Sequence, residues 1–438
     1  MDTLAIKAKG ISVTVDLSVG HLADMTVDID GRRLKPLHRA PWIDEPRETL
    51  PQDLPAGTVR LSGDFLCAPF SRSDVEEAPL HGWPANSPWD VVGSEATADG
   101  WRAVFRLRHL VMGATVDKIL ILRDDHPFLY QEHVFSGGSG AISVAHHPMT
   151  VMKDSGRLAF SPKRFAATPD DPLEPDPARG RFRFAYPARS TDLTRFPAAG
   201  GGTLDLTDYR MDQSREDFVT LVEADHGGPG WTALARKAEA DLVLVLKNPA
   251  ELPVTMLWVS NGGRDYAPWS GRHRGVLGIE DGRTALGHAA SLGDNWLKRE
   301  GVATAFALGE GRNVSFRHVI GALPQEAGGE PPRDIATAQG NMRLTAADGS
   351  TREVPFDGDF LRIGRSVPPD WAVSWAALPV GVSPSIASVG AAPSPGLPTE
   401  LQRAIRGNPT SPRGERRSPA PTLLSSPQRG EGGREAAG

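Results

Sequence analysis

Residues 63–89 combine a titratable side chain with glycine and aromatic residues, which is a common composition for the wall of a ligand site. His81 is followed by Gly82 and Trp83, and Arg72 lies shortly before them. Glycine lets the backbone approach a ligand closely, and aromatic rings offer an apolar surface that suits the C–H face of a sugar. The same residues also fit a rigid loop of proline and tryptophan that carries a histidine on the surface.

Residues 131–148 bring three histidines close together along the chain. His146 and His147 are adjacent, and successive residues of a strand point to opposite faces, so only one of them can face a given site. Glu132 and His133 with a later histidine suggest a metal centre of two histidines and one carboxylate. Neighbours on a strand face opposite ways, however, and a structural histidine pair or a single proton donor fits the stretch as well.

Residues 258–282 contain a third group of polar side chains, which includes Asp265 and Glu280. Glu280 ends a short apolar run. On a strand beside Leu277 and Ile279, its carboxylate would lose part of its hydration, and its pKa would rise. A raised pKa suits a carboxylate that exchanges protons near neutral pH. Alternatively, Glu280 and the two residues after it form only a turn.

The alternation of apolar and polar residues predicts the strands that would carry these groups. Residues 101–108 put apolar side chains on one face and arginines on the other, as in a half-buried strand. Residues 241–247 are typical of a strand buried on both faces, and residues 313–320 alternate again. Further strands are expected at 10–17, 21–30, 115–123, 127–135, 182–187, 217–225 and 252–260.

Helical patterns are few, and residues 285–299 give the best of them, followed by 232–240. Many short strands, in a chain with 47 glycines and 38 prolines, predict a mostly β protein. We expect a large antiparallel β-sandwich with few short helices over residues 1–365. Residues 366–438 are rich in Pro, Ser, Gly and Arg, which predicts a tail that is disordered from residue 385 onward. The tail is either a basic interaction segment or an appendage without a role.

The formal net charge of −6 argues against a nucleic-acid partner, because binding phosphates needs a basic surface. It also argues weakly against an anionic membrane surface. No segment approaches the ~20 apolar residues that span a bilayer, and the N-terminus does not have the pattern of a signal peptide. The single cysteine, Cys67, cannot form an internal disulfide. A cytoplasmic protein is expected, and the oligomeric state is left open.

In their order along the chain, the three stretches resemble the aldose 1-epimerase, or galactose mutarotase-like, superfamily. The likeness is greatest to the branch that includes glucose-6-phosphate 1-epimerases, and it covers about residues 8–365. The glycine-rich stretch that leads into Pro-Phe matches residues 63–70, and the His-Gly-aromatic step matches residues 81–83. The His-Pro pair of the family matches residues 147–148, and its late apolar run that ends in glutamate matches residues 275–280.

The resemblance implies a β-sandwich with a groove on one sheet, and an enzyme that interconverts the α and β anomers of a hexose. Glu280 would take the proton of the anomeric hydroxyl, and His147 would protonate the ring oxygen, so that the ring opens and recloses. His81 would hydrogen-bond the sugar. This chemistry needs neither a metal nor an organic cofactor. Further candidates for contacts with the substrate are Arg72, Trp83 and Asp265.

The sequence departs from the phosphosugar branch at residues 84–86, where Pro-Ala-Asn replaces an arginine, and at Met149, where many members have an aromatic residue. Recognition of phosphate relies on arginine forks, so a free or unusual hexose is the expected substrate. The same departures support a second hypothesis, a carbohydrate-binding or sensor protein without turnover. A third hypothesis is a lyase or hydrolase, which usually needs a second carboxylate or a tyrosine at the bond to be cut.

Overall fold

The computed structural model describes residues 2–362, and the tail predicted for residues 366–438 lies outside the described residues. Strands dominate this part of the chain. In chain order they are β1 Thr3–Ala8, β2 Ile11–Asp16, β3 His21–Ile29, β4 Arg32–Leu34, β5 Leu66–Cys67, β6 Trp89–Thr97, β7 Gly100–Leu107, β8 Ala114–Arg123, β9 Phe128–Gly137, β10 Ala141–Ile142, β11 Val144–His146, β12 Met149–Val151, β13 Gly156–Phe160, β14 Lys163–Ala167, β15 Arg189–Ser190, β16 Phe196–Pro197, β17 Thr203–Leu204, β18 Asp208–Tyr209, β19 Arg215–Glu223, β20 Gly230–Arg236, β21 Asp241–Lys247, β22 Val254–Asn261, β23 Val276–Arg283, β24 Phe306–Ala307, β25 Asn313–Pro324, β26 Asp334–Ala338, β27 Asn341–Thr345 and β28 Thr351–Pro355.

The helices are short and lie in the connections between strands. They are α1 Ala56–Val59, α2 His288–Leu292 and α3 Trp296–Arg299, with single 3-10 turns at Arg47–Thr49 and Trp83–Ala85. Among residues 2–362, no helix has the length and apolar character needed to cross a membrane.

Two large antiparallel sheets organise the fold. The larger has nine strands in the order β18-β13-β20-β21-β25-β9-β8-β7-β6. The other has eight strands in the order β15-β14-β19-β22-β23-β11-β5, with β12 also paired to β23. A four-stranded sheet, β1 to β4, and a three-stranded sheet, β26 to β28, flank them, and two pairs of short strands, β10-β24 and β16-β17, complete the set.

The two large sheets face each other, and a hydrophobic cluster fills the space between them. Leu257, Leu277 and Ile279 of the eight-stranded sheet meet Val243 and Val245 of the nine-stranded sheet there. Burial of this apolar surface is the main favourable term in folding. The structure is therefore a β-sandwich, as the sequence predicts.

The other face of the eight-stranded sheet is covered by loops and short helices. Met256, Trp258 and Val276 point to this side and pack with Trp42 and Leu297 of the covering segments. We call this side the covered face. It supplies a partly enclosed space over β22 and β23, where the candidate site lies.

The strands predicted at 101–108, 241–247 and 313–320 are confirmed as β7, β21 and β25. The strand predicted at 182–187 is wrong, because only Phe184 makes a single bridge. The Asp217 carboxylate accepts the backbone N–H groups of that segment instead.

The helix predicted for residues 232–240 is also wrong, since β20 occupies Gly230–Arg236 and is buried on both faces. A strand without a wet side has no alternation to distinguish it from a helix. The helix predicted for 285–299 forms only as α2 and α3. Asn295 interrupts it, because its side chain accepts the Lys298 backbone N–H and so begins α3.

We expect Leu244→Ala to test the placement of β21 in the core. Leu244 is completely buried in the middle of the nine-stranded sheet. Removing its side chain leaves a cavity and should lower the free energy of unfolding by about 2–5 kcal/mol, measured by denaturant titration. The matched control is Leu110→Ala, since Leu110 is 56% exposed. Equal losses in the two variants would contradict this placement.

Candidate functional site

Strand β23 carries one titratable group to the covered face. Gly278 and Glu280 point to this face, whereas Leu277 and Ile279 point into the space between the sheets. Glu280 lies within the strand rather than in a turn, and it is 1% exposed. A Cβ on Gly278 would lie 2.7 Å from Glu280 Oε1. The carboxylate therefore uses the space that the glycine leaves free.

His147 follows β11, and a buried carboxylate fixes its backbone. Its N–H donates to Asp64 Oδ1 at 2.8 Å and also lies 3.1 Å from the Phe65 carbonyl oxygen. Gly63, at φ +56°, allows the turn that presents Asp64, since a Cβ there would lie 1.7 Å from the Leu22 oxygen. The Phe65 ring stacks on the His147 imidazole with a centroid distance of 4.5 Å. Both ring and backbone of His147 are thus held in place.

The two side chains meet directly, with His147 Nε2 3.1 Å from Glu280 Oε1. We call this contact the His147–Glu280 dyad. Loss of hydration disfavours charge on both groups, so burial raises the pKa of Glu280 well above its ordinary value and lowers the pKa of His147 to about 4. The dyad is therefore a carboxylic acid that donates to a neutral imidazole, and it holds one mobile proton.

His81 stands edge-on to His147, with ring centroids 5.3 Å apart. Its backbone is left-handed at φ 68°, which is uncommon outside glycine and is often found at functional sites. The backbone N–H of Ser71 donates to His81 Nδ1 at 3.4 Å. The proton of the neutral ring is then on Nε2, which makes this atom a hydrogen-bond donor.

A cavity of about 440 Å³ opens over the side chains of His81, His147 and Glu280. This volume lies within the range of small-molecule sites, which are mostly apolar with a few convergent polar groups. Flat apolar walls of this kind suit the C–H faces of a sugar ring. The aromatic residues of the walls include Phe65, Phe70, Phe218, Trp258 and Trp269.

Arg264 is a charged wall residue that the sequence analysis did not single out. Its guanidinium lies 3.1 Å from Glu174 Oε1 and 3.4 Å from Glu216 Oε1, and it stands 4.5 Å over the Trp269 ring. Two carboxylates therefore compensate its charge. The sequence pointed to this stretch of the chain but to the neighbouring residue, Asp265. Adjacent residues point in opposite directions, and the sequence alone does not tell which of the two faces a cavity.

The two candidates for acid–base catalysis, His147 and Glu280, line the cavity together with His81, a candidate for contact with the substrate. The other three candidates for substrate contacts do not line it. Arg72 is exposed. Trp83 stacks on His109 with a centroid distance of 4.2 Å. Asp265 is exposed and pairs with Arg181 at 2.8 Å. Arg72, Trp83 and Asp265 therefore lie outside the residues that line the cavity.

The neighbours Glu132 and His133 face opposite ways, as expected on a strand. Glu132 pairs with Arg317 at 3.1 Å, while the ring of His133 lies 4.9 Å from that of His146. A metal centre that uses both neighbours is therefore not formed. His146 points away from His147, which leaves His147 as the one of the two that enters the cavity.

No family model matches the sequence, and the comparison with curated proteins gives no match. Among solved structures, the Slr1438 protein from Synechocystis is 12% identical, with 74% of this chain and 96% of that chain covered and a TM-score of 0.48. A galactose mutarotase-like protein from Lactobacillus casei is 12% identical, with 74% and 100% covered and a TM-score of 0.45. A galactose mutarotase related enzyme from Lactobacillus acidophilus is 11% identical, with 74% and 99% covered and a TM-score of 0.43.

We expect Glu280→Gln to change the pH dependence of stability. As pH rises above about 4.5, the unfolded chain loses this proton while the folded chain keeps it, so the folded state binds more protons and stability falls. Glutamine does not ionise, and its amide can still donate to His147. The free energy of unfolding of the variant relative to the wild type should therefore increase between about pH 5 and about pH 8, as measured by urea denaturation.

The matched control is Glu95→Gln, because Glu95 is exposed on β6. It should follow the wild type across the same pH range. Parallel curves for Glu280→Gln and the wild type would contradict a buried, protonated Glu280.

Proposed function

We propose that the protein is an aldose 1-epimerase-like isomerase, which interconverts the α and β anomers of a hexose by opening and reclosing its ring. The observation that carries the proposal is the His147–Glu280 dyad on the wall of an apolar cavity, with Nε2 and Oε1 3.1 Å apart. Ring opening needs one base and one acid on the same hemiacetal. The dyad supplies both from two residues and a single proton.

The dyad has the right number of protons in either of its forms. A carboxylic acid beside an imidazole and a carboxylate beside an imidazolium differ only by a proton transfer across the 3.1 Å contact. Burial favours the neutral form. The hydroxyl and ring oxygen of a bound hexose stabilise the charged form by hydrogen bonds, and that form has a base on Glu280 and an acid on His147.

In the proposed reaction, the hemiacetal takes its place between the two side chains. The Glu280 carboxylate takes the proton of the anomeric hydroxyl, and the bond between the anomeric carbon and the ring oxygen breaks. The electron pair of that bond goes to the ring oxygen, which takes the proton of His147, and the anomeric oxygen becomes an aldehyde. Rotation about the first carbon–carbon bond and the reverse steps give the other anomer and restore the dyad.

The cavity wall favours a neutral hexose over a phosphorylated one. In the described residues that line the cavity, Arg264 is the one permanent cation, and Glu174 and Glu216 lie within 3.4 Å of its guanidinium. A phosphate would have to compete with these carboxylates for the guanidinium. His81 Nε2–H remains as a neutral donor for a hydroxyl or a ring oxygen.

One observation favours a second candidate, a carbohydrate-binding or sensor protein without turnover. The direct contact between His147 and Glu280 fills the position where the hemiacetal has to enter. If the contact stays closed, a sugar can bind against the aromatic wall without meeting the acid and the base.

We also place the protein in the cytoplasm. Cys67, the single cysteine of the sequence, is unpaired and completely buried. Such a thiol is compatible with the reducing conditions of that compartment. Fractionation of cells that express the full chain, followed by immunoblotting, tests this location.

We expect the wild type to accelerate anomer exchange of a free hexose, and Glu280→Gln and His147→Gln each to reduce the acceleration by about 10²-fold or more, since each removes one partner of acid–base catalysis. Saturation-transfer NMR on a panel of hexoses measures the exchange rate directly. The matched controls are Glu95→Gln and His226→Gln, which make the same changes far along the chain from the dyad and should keep the wild-type rate. A contrary result is that the wild type exchanges the anomers of no hexose in the panel faster than Glu280→Gln does, while calorimetry still detects binding of a hexose. That result would favour the carbohydrate-binding protein instead.

We expect a free hexose to react faster than its 6-phosphate at equal concentration, because the compensated Arg264 offers little attraction to a phosphate. The variant Glu174→Gln tests whether the carboxylates beside Arg264 cause this preference. It removes one of the two carboxylates that compensate the guanidinium, so the rate on the 6-phosphate should rise relative to the rate on the free hexose. The same NMR exchange measurement compares the two substrates. A wild-type preference for the 6-phosphate would contradict our account of the cavity wall.

A further inference from the structure

Four leucine side chains line the cavity over the His147–Glu280 dyad without being buried in the hydrophobic core. They lie in four different connections, outside the strands and helices, and are Leu54, Leu80, Leu173 and Leu286. Leu80 is 46% exposed, and the other three are partly exposed. Single exposed leucines are ordinary on a protein surface, but several gathered around one concave site mark a place for an apolar partner. We call these four residues the leucine wall.

Asn86 is a polar residue of the cavity lining whose side chain is already engaged within the protein. Its amide nitrogen donates to the carbonyl oxygens of Leu80 and Gly82 at 2.8 and 2.7 Å. Its amide oxygen accepts the backbone N–H of Gly57 at 2.9 Å. Both ends of the side chain thus hold covering loops together and are not available to a ligand.

The polar atoms at the aromatic side of the cavity are engaged as well. The indole N–H of Trp258 donates to Glu216, and the hydroxyl of Tyr266 donates to Glu174. The same two carboxylates compensate the Arg264 guanidinium. A sugar hydroxyl that binds there has to compete with contacts that the protein already makes.

Few neutral polar side chains therefore remain for a sugar. Apart from the dyad, those of the described cavity lining without a hydrogen-bond partner are the hydroxyls of Thr58 and Ser71, the Nε2–H of His81 and the indole N–H of Trp269. A hexose carries a hydroxyl on almost every carbon, and a hydroxyl that leaves water without finding a partner costs free energy. The cavity thus suits a sugar that brings in fewer hydroxyls than a plain hexose.

The size of the cavity leaves room for more than a sugar ring. Its volume of about 440 Å³ equals that of about 15 molecules of liquid water at ~30 Å³ each. The atoms of a hexose are joined by covalent bonds and lie closer together than neighbouring water molecules, so one hexose fills only part of this space. A substituent on the sugar can occupy the remainder.

We propose that the substrate is a hexose with a free anomeric hydroxyl and with an apolar group, alkyl, acyl or aryl, on another of its oxygens. This inference rests on the proposed isomerase function and names the class of hexose that the site takes. The apolar group lies against the leucine wall while the hemiacetal meets the dyad. Its binding removes the leucine surface from water and replaces a hydroxyl hydrogen for which the lining offers few partners.

The experiment uses the full chain with 4-O-benzyl glucose and 6-O-benzyl glucose as probes, since both keep the anomeric hydroxyl free. Saturation-transfer NMR at several concentrations gives kcat/KM for anomer exchange. At least one benzyl probe should exceed glucose by about 10-fold or more, as expected for additional apolar contacts in a hydrophobic site. The matched probes are the disaccharides with a glucosyl group at the same oxygen, which are similar in bulk but polar and should not exceed glucose.

Variants assign the preference to the leucine wall. Leu173→Gln and Leu286→Gln should each lower the ratio of kcat/KM for the benzyl probe to that for glucose by about 4-fold or more, the effect of one buried methylene group. The matched control is Leu110→Gln, because Leu110 is 56% exposed and does not line the cavity, and it should keep the wild-type ratio. Circular dichroism shows which variants have folded, and the comparison of probes on the wild type needs no variant.

Calorimetry with each probe separates this inference from the proposed isomerase function. If no probe is exchanged faster by the wild type than by Glu280→Gln, but a benzyl probe binds more tightly than glucose, the isomerase is overturned and the apolar specificity stands. If glucose or the disaccharides are exchanged and bound as well as both benzyl probes, the apolar specificity is overturned and the isomerase stands. A ratio that is unchanged in folded Leu173→Gln and Leu286→Gln also overturns the inference, because the apolar group would then lie elsewhere.

Discussion

The period of two along a β-strand decides which side chains of this protein can meet. Glu280 and Asp281 are neighbours on β23, yet Glu280 contacts His147 on the covered face, and Asp281 contacts His318 between the sheets. His146 and His147 are separated in the same way by β11 and the residue that follows it. Alternate residues of two paired strands therefore build two different polar sites, one on each side of a single sheet.

Burial has opposite outcomes for the two carboxylates because their partners differ. Glu280 contacts an imidazole, and the loss of hydration raises its pKa. Burial alone would also raise the pKa of Asp281, but Lys247 at 2.8 Å and His318 outweigh it and hold that pKa well below its usual range. A buried carboxylate keeps its charge only where a cation or strong donors compensate it. The covered face thus has a proton carrier, and the space between the sheets has fixed charges.

Local alternation is enough to predict the β fold and the separation of His146 from His147. It left Glu280 open between a strand and a turn, because the apolar run before Glu280 does not alternate. It fails at residues 232–240, where a strand buried on both faces has no polar side. Arg264 stayed unidentified because its role depends on carboxylates from β19 and from a distant loop, which strand register and loop packing bring together. Contacts between positions far apart in the chain follow from the whole sheet order, and a single sequence does not state that order.

Asp64 links the two polar sites, because its two oxygen atoms have different partners. Oδ1 accepts the backbone N–H of His147 at 2.8 Å. Oδ2 accepts the Gln131 amide at 2.7 Å and lies 3.2 Å from His146 Nδ1. A hydrogen bond to a carboxylate owes its strength to the negative charge. A loss of charge on this carboxylate would therefore weaken the bond that fixes the backbone of His147, so the polar groups between the sheets and the geometry of the dyad are coupled through one residue.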